Sequence, residues 1–251
     1  MSAVAAMKVT PTPFKAPSSW LSSPIKVVVI GAGGNGSEVA DCLAQFHHAI
    51  RSLGHPHGLK VTIIDDSIVR ESNLVRQRFW PCDLGQYKAV SLANRYNLML
   101  GVQWEGLPYR FPCAETEKAI EKADLIISAV DLPSARVAIG KLKVKAMWLD
   151  LGNDARHGQI VFGAIDAKLR QVYPNVLDTY PEIPTLSDDT SKSCSVAESL
   201  RSQDCLINRS VSTAGMAILW ELLRYGETHK HWLMVNLETG EQSAFPFPVT
   251  G

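Results

Sequence analysis

Between Asp65 and Gln77 the chain reads DDSIVRESNLVRQ, and its residue types suit the binding of a polyphosphate. Asn73, Arg76 and Gln77 are spaced i, i+3 and i+4, so a helical turn capped by Ser72 would set two amides and a guanidinium on one face. Such a set donates to phosphate oxygens. Lys88, in GQYKA, adds a point charge, and Asp131 is an acid able to hold Mg²⁺ against those phosphates. Upstream, GAGGNG fits G-x-G-x-x-G through Gly31, Gly33 and Gly36, where backbone amides at a helix start can approach a phosphate closely. Asp65 closes an apolar run, a position suited to ribose hydroxyls. Taken singly, Arg76 suits a surface ion pair, Lys88 a solvated helix, and Asp131 a cap ahead of Pro133. Together they describe a nucleotide site. A dinucleotide needs no arginine–amide cluster here, because the glycine loop already holds its pyrophosphate.

These side chains need a scaffold that brings them to one edge. Ile25–Ile30 is rich in β-branched residues, as in a strand covered on both faces, and the glycine turn leads into helical spacing over 37–53. Residues 59–65 and 124–130 repeat the buried-strand pattern, and helical spacing recurs over 72–80, 86–100 and 133–142. AMWLDL and QIVFGAI are further strands. The alternation predicts an α/β fold: a Rossmann-like, mostly parallel sheet with helices on both faces. Residues 173–195 are rich in Pro, Asp, Thr and Ser without periodicity, within a crossover loop over 172–205 of a length that usually carries function. A helix over 208–224 and two antiparallel strands joined through Thr239-Gly240 complete the chain. Residues 1–24 read as a flexible arm with one docked turn, and 25–251 as a single domain.

The totals exclude several classes. Lys+Arg and Asp+Glu are both 25 among 251 residues, so no net field draws nucleic acid or a membrane surface. Five cysteines without a C-x-x-C pair argue against a disulfide framework and against structural zinc. No apolar run reaches the ~20 residues of a membrane span, and the N-terminus lacks a secretory signal, so the expectation is a soluble, cytoplasmic protein. His47, His48, His55 and His57 flank a Gly/Pro turn without an acid or thiolate set and read as surface residues. Cys205 is expected in helix core.

GAGGNGS, IDDSIVRESNLVRQRFW, LGQYKA and AVD are similar in order and spacing to motifs of the ThiF/MoeB/ubiquitin-activating adenylyltransferase family. SCSVAE, QDCLIN and WLMVNLETG resemble most the ThiF proteins of the PRTRC cassette. The resemblance implies an enzyme that uses Mg-ATP to adenylate the C-terminal carboxylate of a small ubiquitin-like or sulfur-carrier protein, as a homodimer. It implies that Gly31, Gly33, Gly34 and Gly36 cradle ATP and that Asp65 holds the ribose. Asn73, Arg76, Gln77 and Lys88 would bind phosphates, Asp131 the magnesium, and Cys194 would take the acyl group as a thioester, with Lys192 favouring the thiolate. Two departures stand out. Ser67 replaces a second acid, and no arginine precedes Arg51 to act across a dimer. Other readings remain open at this point: an NAD(P)-binding oxidoreductase, a catalytically degenerate scaffold, or an enzyme adenylating a tRNA base.

Overall fold

The computed structural model describes residues 11–188 and 203–249. Its first elements are β1 (Phe14–Lys15), β2 (Ile25–Ile30), α1 (Gly34–Ser52), β3 (Leu59–Ile64), α2 (Lys88–Leu100) and β4 (Glu105–Leu107). Next come α3 (Ala114–Ile120), β5 (Leu125–Ser128), α4 (Pro133–Gly140), β6 (Met147–Asn153) and β7 (His157–Ala164). Two short helical turns follow, α5 (Ala167–Arg170) and α6 (Val176–Thr179). The last elements are α7 (Ile207–Tyr225), β8 (Glu227–Thr228), β9 (Lys230–Asn236) and β10 (Glu241–Pro246).

Strand β2 sets the layering. Successive side chains alternate across a strand, so Val27 and Val29 enter one core while Val28 and Ile30 enter another. The first core is closed by α1, α2 and α7, the second by α3 and α4. Each fully buried Val or Ile contributes about 1.5–3 kcal/mol relative to exposure. The main sheet has eight strands in the order β10-β9-β7-β6-β5-β2-β3-β4. Strands β4, β3, β2, β5 and β6 run parallel, while β7, β9 and β10 pair antiparallel. The order reverses between β2 and β5, which opens a crevice at their carboxyl ends. The expected Rossmann-like sheet, its C-terminal helix and its antiparallel strands are all present.

Some elements differ from expectation. Residues 72–80 form no α-helix; a 3₁₀ turn over Glu71–Asn73 is followed by irregular turns. The Asn73 side-chain oxygen accepts from the Arg70 amide (2.9 Å), so Arg70 rather than Ser72 caps the turn. Pro81 then keeps Trp80 extended and stops helix growth. The spacing of Asn73, Arg76 and Gln77 survives, because the Arg76 and Gln77 amides both donate to the Asn73 carbonyl. Strand β4 and helix α3 were not expected. Within 172–188 the chain also has structure: Arg170 pairs Asp178 at 2.7 Å, and Val176 and Ile183 are buried in the second core.

Of the segment read as an arm, residues 11–24 lie against the body. Phe14 and Lys15 pair with Thr228 and Glu227, the docked turn is the 3₁₀ element Ser18–Leu21, and Trp20 is buried. Phe14 packs edge-on against Phe162 and Tyr173, and Tyr173 packs on Phe247.

Candidate functional site

The glycine turn does two jobs. Gly31 has φ +93°, in the left-handed region where a side chain is strained, and a Cβ on Gly36 would collide with the Gly31 carbonyl oxygen. A Cβ on Gly34 would collide with Asn208. These three glycines therefore let α1 start hard against β2 and its neighbours. A Cβ on Gly33 would meet no atom within 4 Å, so Gly33 is the glycine of the turn that faces open space. The first amides of α1 have no intrahelical acceptor and point into that space with the positive end of the helix dipole. Asp65 clamps the turn: its carboxylate accepts from the Ala32 amide at 2.6 Å and the Ser67 amide at 2.7 Å. A carboxylate has about four acceptor sites, which leaves capacity for ribose hydroxyls.

Opposite the glycine turn stand the residues of the 3₁₀ turn and the start of α2. Lys88, the first residue of α2, is buried, and its amide donates to the Ser67 carbonyl at 2.9 Å. Arg76 is held from the far end of the chain: its Nη1 donates to Gln203 Oε1 and to Asn208 Oδ1 (3.2 Å). Burial pulls the Arg76 guanidinium below its usual range, and the nearby Asp131 and Cys205 oppose that shift. Gln77 Oε1 is buried with no partner among the described residues. The turn is fastened by ion pairs of Arg78 with Glu38 (2.9 Å) and Asp41 (3.3 Å) and of Arg95 with Asp83 (2.6 Å).

These groups line one cleft of ≈ 610 Å³, which brings together Gly33, Gly34, Asp65, Asn73, Arg76, Gln77, Lys88 and Asp131. Gly31 lines an adjoining recess of mixed character, with Ile30, Ile64 and Phe111 on one hand and Asp66, Arg110 and Asp131 on the other. Gly36 lies beneath the turn. A second groove of ≈ 580 Å³ runs over β6, β7, β9 and β10 and shares Asp131, Asn153 and Gln203 with the first. The sequence reading missed the amide cluster at that junction. Asn35 donates to Asn153 (2.9 Å), and Asn208 donates to Asn35 (3.1 Å) and Asn153 (3.2 Å). Asn153 ends β6 on the carboxyl edge of the sheet, a position that could have been flagged. Gln203 and Asn208 carry no local signal.

Other expectations fare differently. Cys194 and Lys192 lie outside the described residues. Cys205 is not in helix core: it is exposed in the turn before α7, with Sγ 3.4 Å from the Val75 carbonyl oxygen. Of the four histidines, His48 and His57 are exposed, but His47 and His55 are half-buried and structural. His47 Nδ1 sits 3.1 Å from the Leu59 amide, and His55 ties the Trp20 carbonyl (2.6 Å) to the amides of His57 and Gly58. Among the described residues no group of three or more His, Cys, Asp or Glu is arranged to hold a metal, and no helix is long and apolar enough to cross a membrane.

Comparison with known protein families matches residues 18–221 to the ThiF family. The chain belongs to the ThiF family. Comparison with curated proteins finds no match. Among solved structures, selenomethionine PaaA superposes with a TM-score of 0.62 at 16% identity, over 89% of this chain and 64% of PaaA. Escherichia coli MccB crystallised with ATP gives a TM-score of 0.61 at 15% identity, over 93% of this chain and 68% of MccB. MccB with AMPCPP and MccA gives 0.61 at 14%, over 90% and 67%. This ThiF-family chain thus spans about two thirds of the length of these proteins, and at such identities the likeness is one of fold.

Proposed function

We propose that the protein is an ATP-dependent adenylyltransferase that activates the C-terminal carboxylate of a small protein or peptide, of the ubiquitin-like or sulfur-carrier kind. The observation that carries this reading is the pair of grooves sharing one wall at Asp131, Asn153 and Gln203. Adenylation joins a polyphosphate to an extended acyl chain end to end, so it needs two grooves that meet. One groove holds the glycine turn, Arg76 and Lys88; the other crosses the antiparallel strands, where an extended tail can lie. MccB, of the same fold, was crystallised with ATP and with AMPCPP together with MccA.

In the reaction a carboxylate oxygen of the partner bonds to the α-phosphorus, the bond from that phosphorus to the bridging β-oxygen breaks, and pyrophosphate leaves with the electron pair. No proton moves. The demand is for charge compensation and alignment, which helix amides, Arg76 and Lys88 supply. Asp131 is an exposed carboxylate at the lip of both grooves, and Mg²⁺ typically takes one or two carboxylates plus substrate phosphates, so the residues present fit that ion. When bound there it would neutralise phosphate charge.

The test is thermal melting with Mg-ATP, with NAD, and with neither. A ligand at about a hundred times its Kd adds roughly 2.7 kcal/mol, a rise of several degrees for a chain of this size. A rise with Mg-ATP that Arg76→Ala loses supports the reading, and a rise with NAD alone overturns it. Once a partner is in hand, Arg76→Ala should slow adenylation by about 10²–10³-fold.

A further inference from the structure

Gln203 stands where the two grooves meet, and its surroundings determine which way its amide faces. A guanidinium only donates, so the oxygen that accepts from Arg76 must be Oε1, and the NH₂ must point away from Arg76. The backbone around it is pinned on two sides. The Asp204 amide donates to the Ala155 carbonyl (2.9 Å) in the β6–β7 hairpin, and Cys205 Sγ lies 3.4 Å from the Val75 carbonyl oxygen beside Arg76. The Leu206 amide donates to Asp204 Oδ1 (3.0 Å), closing a tight turn at the entry to α7.

The three residues of the shared wall differ in what they can offer. Asp131 is acidic and opposes an incoming carboxylate. Asn153 is largely engaged: its oxygen accepts from Asn35 and Asn208, and one hydrogen of its Nδ2 goes to the Asp154 carbonyl at 2.8 Å. Among the described residues nothing accepts from Gln203 Nε2. An anion arriving between phosphates and Asp131 needs a donor on its own side.

Resting on the adenylation reading, we propose that Gln203 binds the partner's terminal carboxylate through Nε2, on the oxygen that becomes the acyl carbonyl, while Oε1 holds Arg76 to the phosphates. One amide thus connects the acyl groove with the nucleotide groove. The bond is a hydrogen bond to a charged group and should contribute about ten- to a hundredfold in affinity for the acyl end.

The test uses calorimetric titration of the full chain with Mg-ATP and with glycyl-sulfamoyl-adenosine, a stable mimic of an acyl-adenylate that keeps the acyl carbonyl. Q203E retains a partner for Arg76 but replaces the donor by an acceptor; Q203M removes both functions in a similar volume. Circular dichroism checks that each variant is folded. The expected result is that Q203E weakens the mimic about tenfold or more beyond whatever it costs ATP, because only the mimic loses the Nε2 donor. Equal mimic affinity in wild type and Q203E would overturn the proposal, as would parallel loss of ATP and mimic in Q203E. Wild type that binds ATP but not the mimic also overturns it, leaving the nucleotide reading standing. Wild type that binds neither removes the adenylation reading itself, and this role with it.

Discussion

The strands β4-β3-β2-β5 and the strands β7-β9-β10 flank β6 from opposite sides, and they serve the site in different ways. On the parallel side the candidate residues are local in sequence: the glycine turn follows β2, Asp65 and then the arginine turn follow β3, and Asp131 lies just beyond β5. At the seam, Asn153 of β6, Gln203 ahead of α7 and Asn208 of α7 come from separate elements whose side chains meet only in the folded chain. Phosphate recognition relies on backbone amides and fixed charges, which short motifs can encode. Joining two substrates relies on an interface between segments, which no short motif encodes.

The seam between these sides is the place to break the comparison. Asp150, on β6, is 1% exposed and accepts from Arg136 Nε at 3.0 Å and from Ser128 Oγ at 2.5 Å, while Ser128 accepts from Trp148. Asp150→Ala leaves Arg136 buried without its anion, and we expect a loss of about 3–5 kcal/mol in denaturant unfolding. One cooperative transition is expected; two would show that the sides unfold separately. A smaller effect sharpens the comparison within the glycine turn. Gly36→Ala pushes into the Gly31 carbonyl and should cost about 1–3 kcal/mol. Gly33→Ala has room, so stability should move by less than about 0.5 kcal/mol while ATP affinity falls about tenfold. Equal effects of the two substitutions on melting would contradict the division of labour between these glycines.

The smallest expected effect is a pH dependence with one contributor on each side. Burial lowers the His231 imidazole on β9 and the His47 imidazole on α1 below their ordinary 6.5, against the pull of the Phe162 and Leu59 carbonyls. Both rings are therefore favoured neutral in the folded chain. Their contribution is complete above the ordinary value and is lost as pH falls through it toward the lowered folded value. Melting temperatures taken from pH 8 down to 5 should decline, and His231→Asn should flatten part of that decline. An unchanged slope in this variant would exclude His231 as a source.

How much could be read beforehand follows the same division. The buried strands, the switch-point glycines and the charged set from Asp65 to Asp131 were legible, because continuous β-branched runs and fixed spacings have few structural meanings. The helix expected over 72–80 was not formed, since Asn73 turns its side chain back on Arg70 and Pro81 ends the segment. Cys205 looked like core by its neighbours, yet the Asp204 turn leaves it exposed ahead of α7. The His55 ring is tied to the Trp20 carbonyl, 35 positions away, and no local pattern announces such a contact.

Two of the groups that accept from Arg76 lie 127 and 132 positions further along. A chain emerging from synthesis can form β2, α1, β3 and the arginine turn long before α7 exists. At that stage the guanidinium lacks both amides that orient it. The candidate site is therefore completed late in the life of the molecule, and on the proposed reading a refolding trace followed by a fluorescent ATP analogue would report the docking of the last helix.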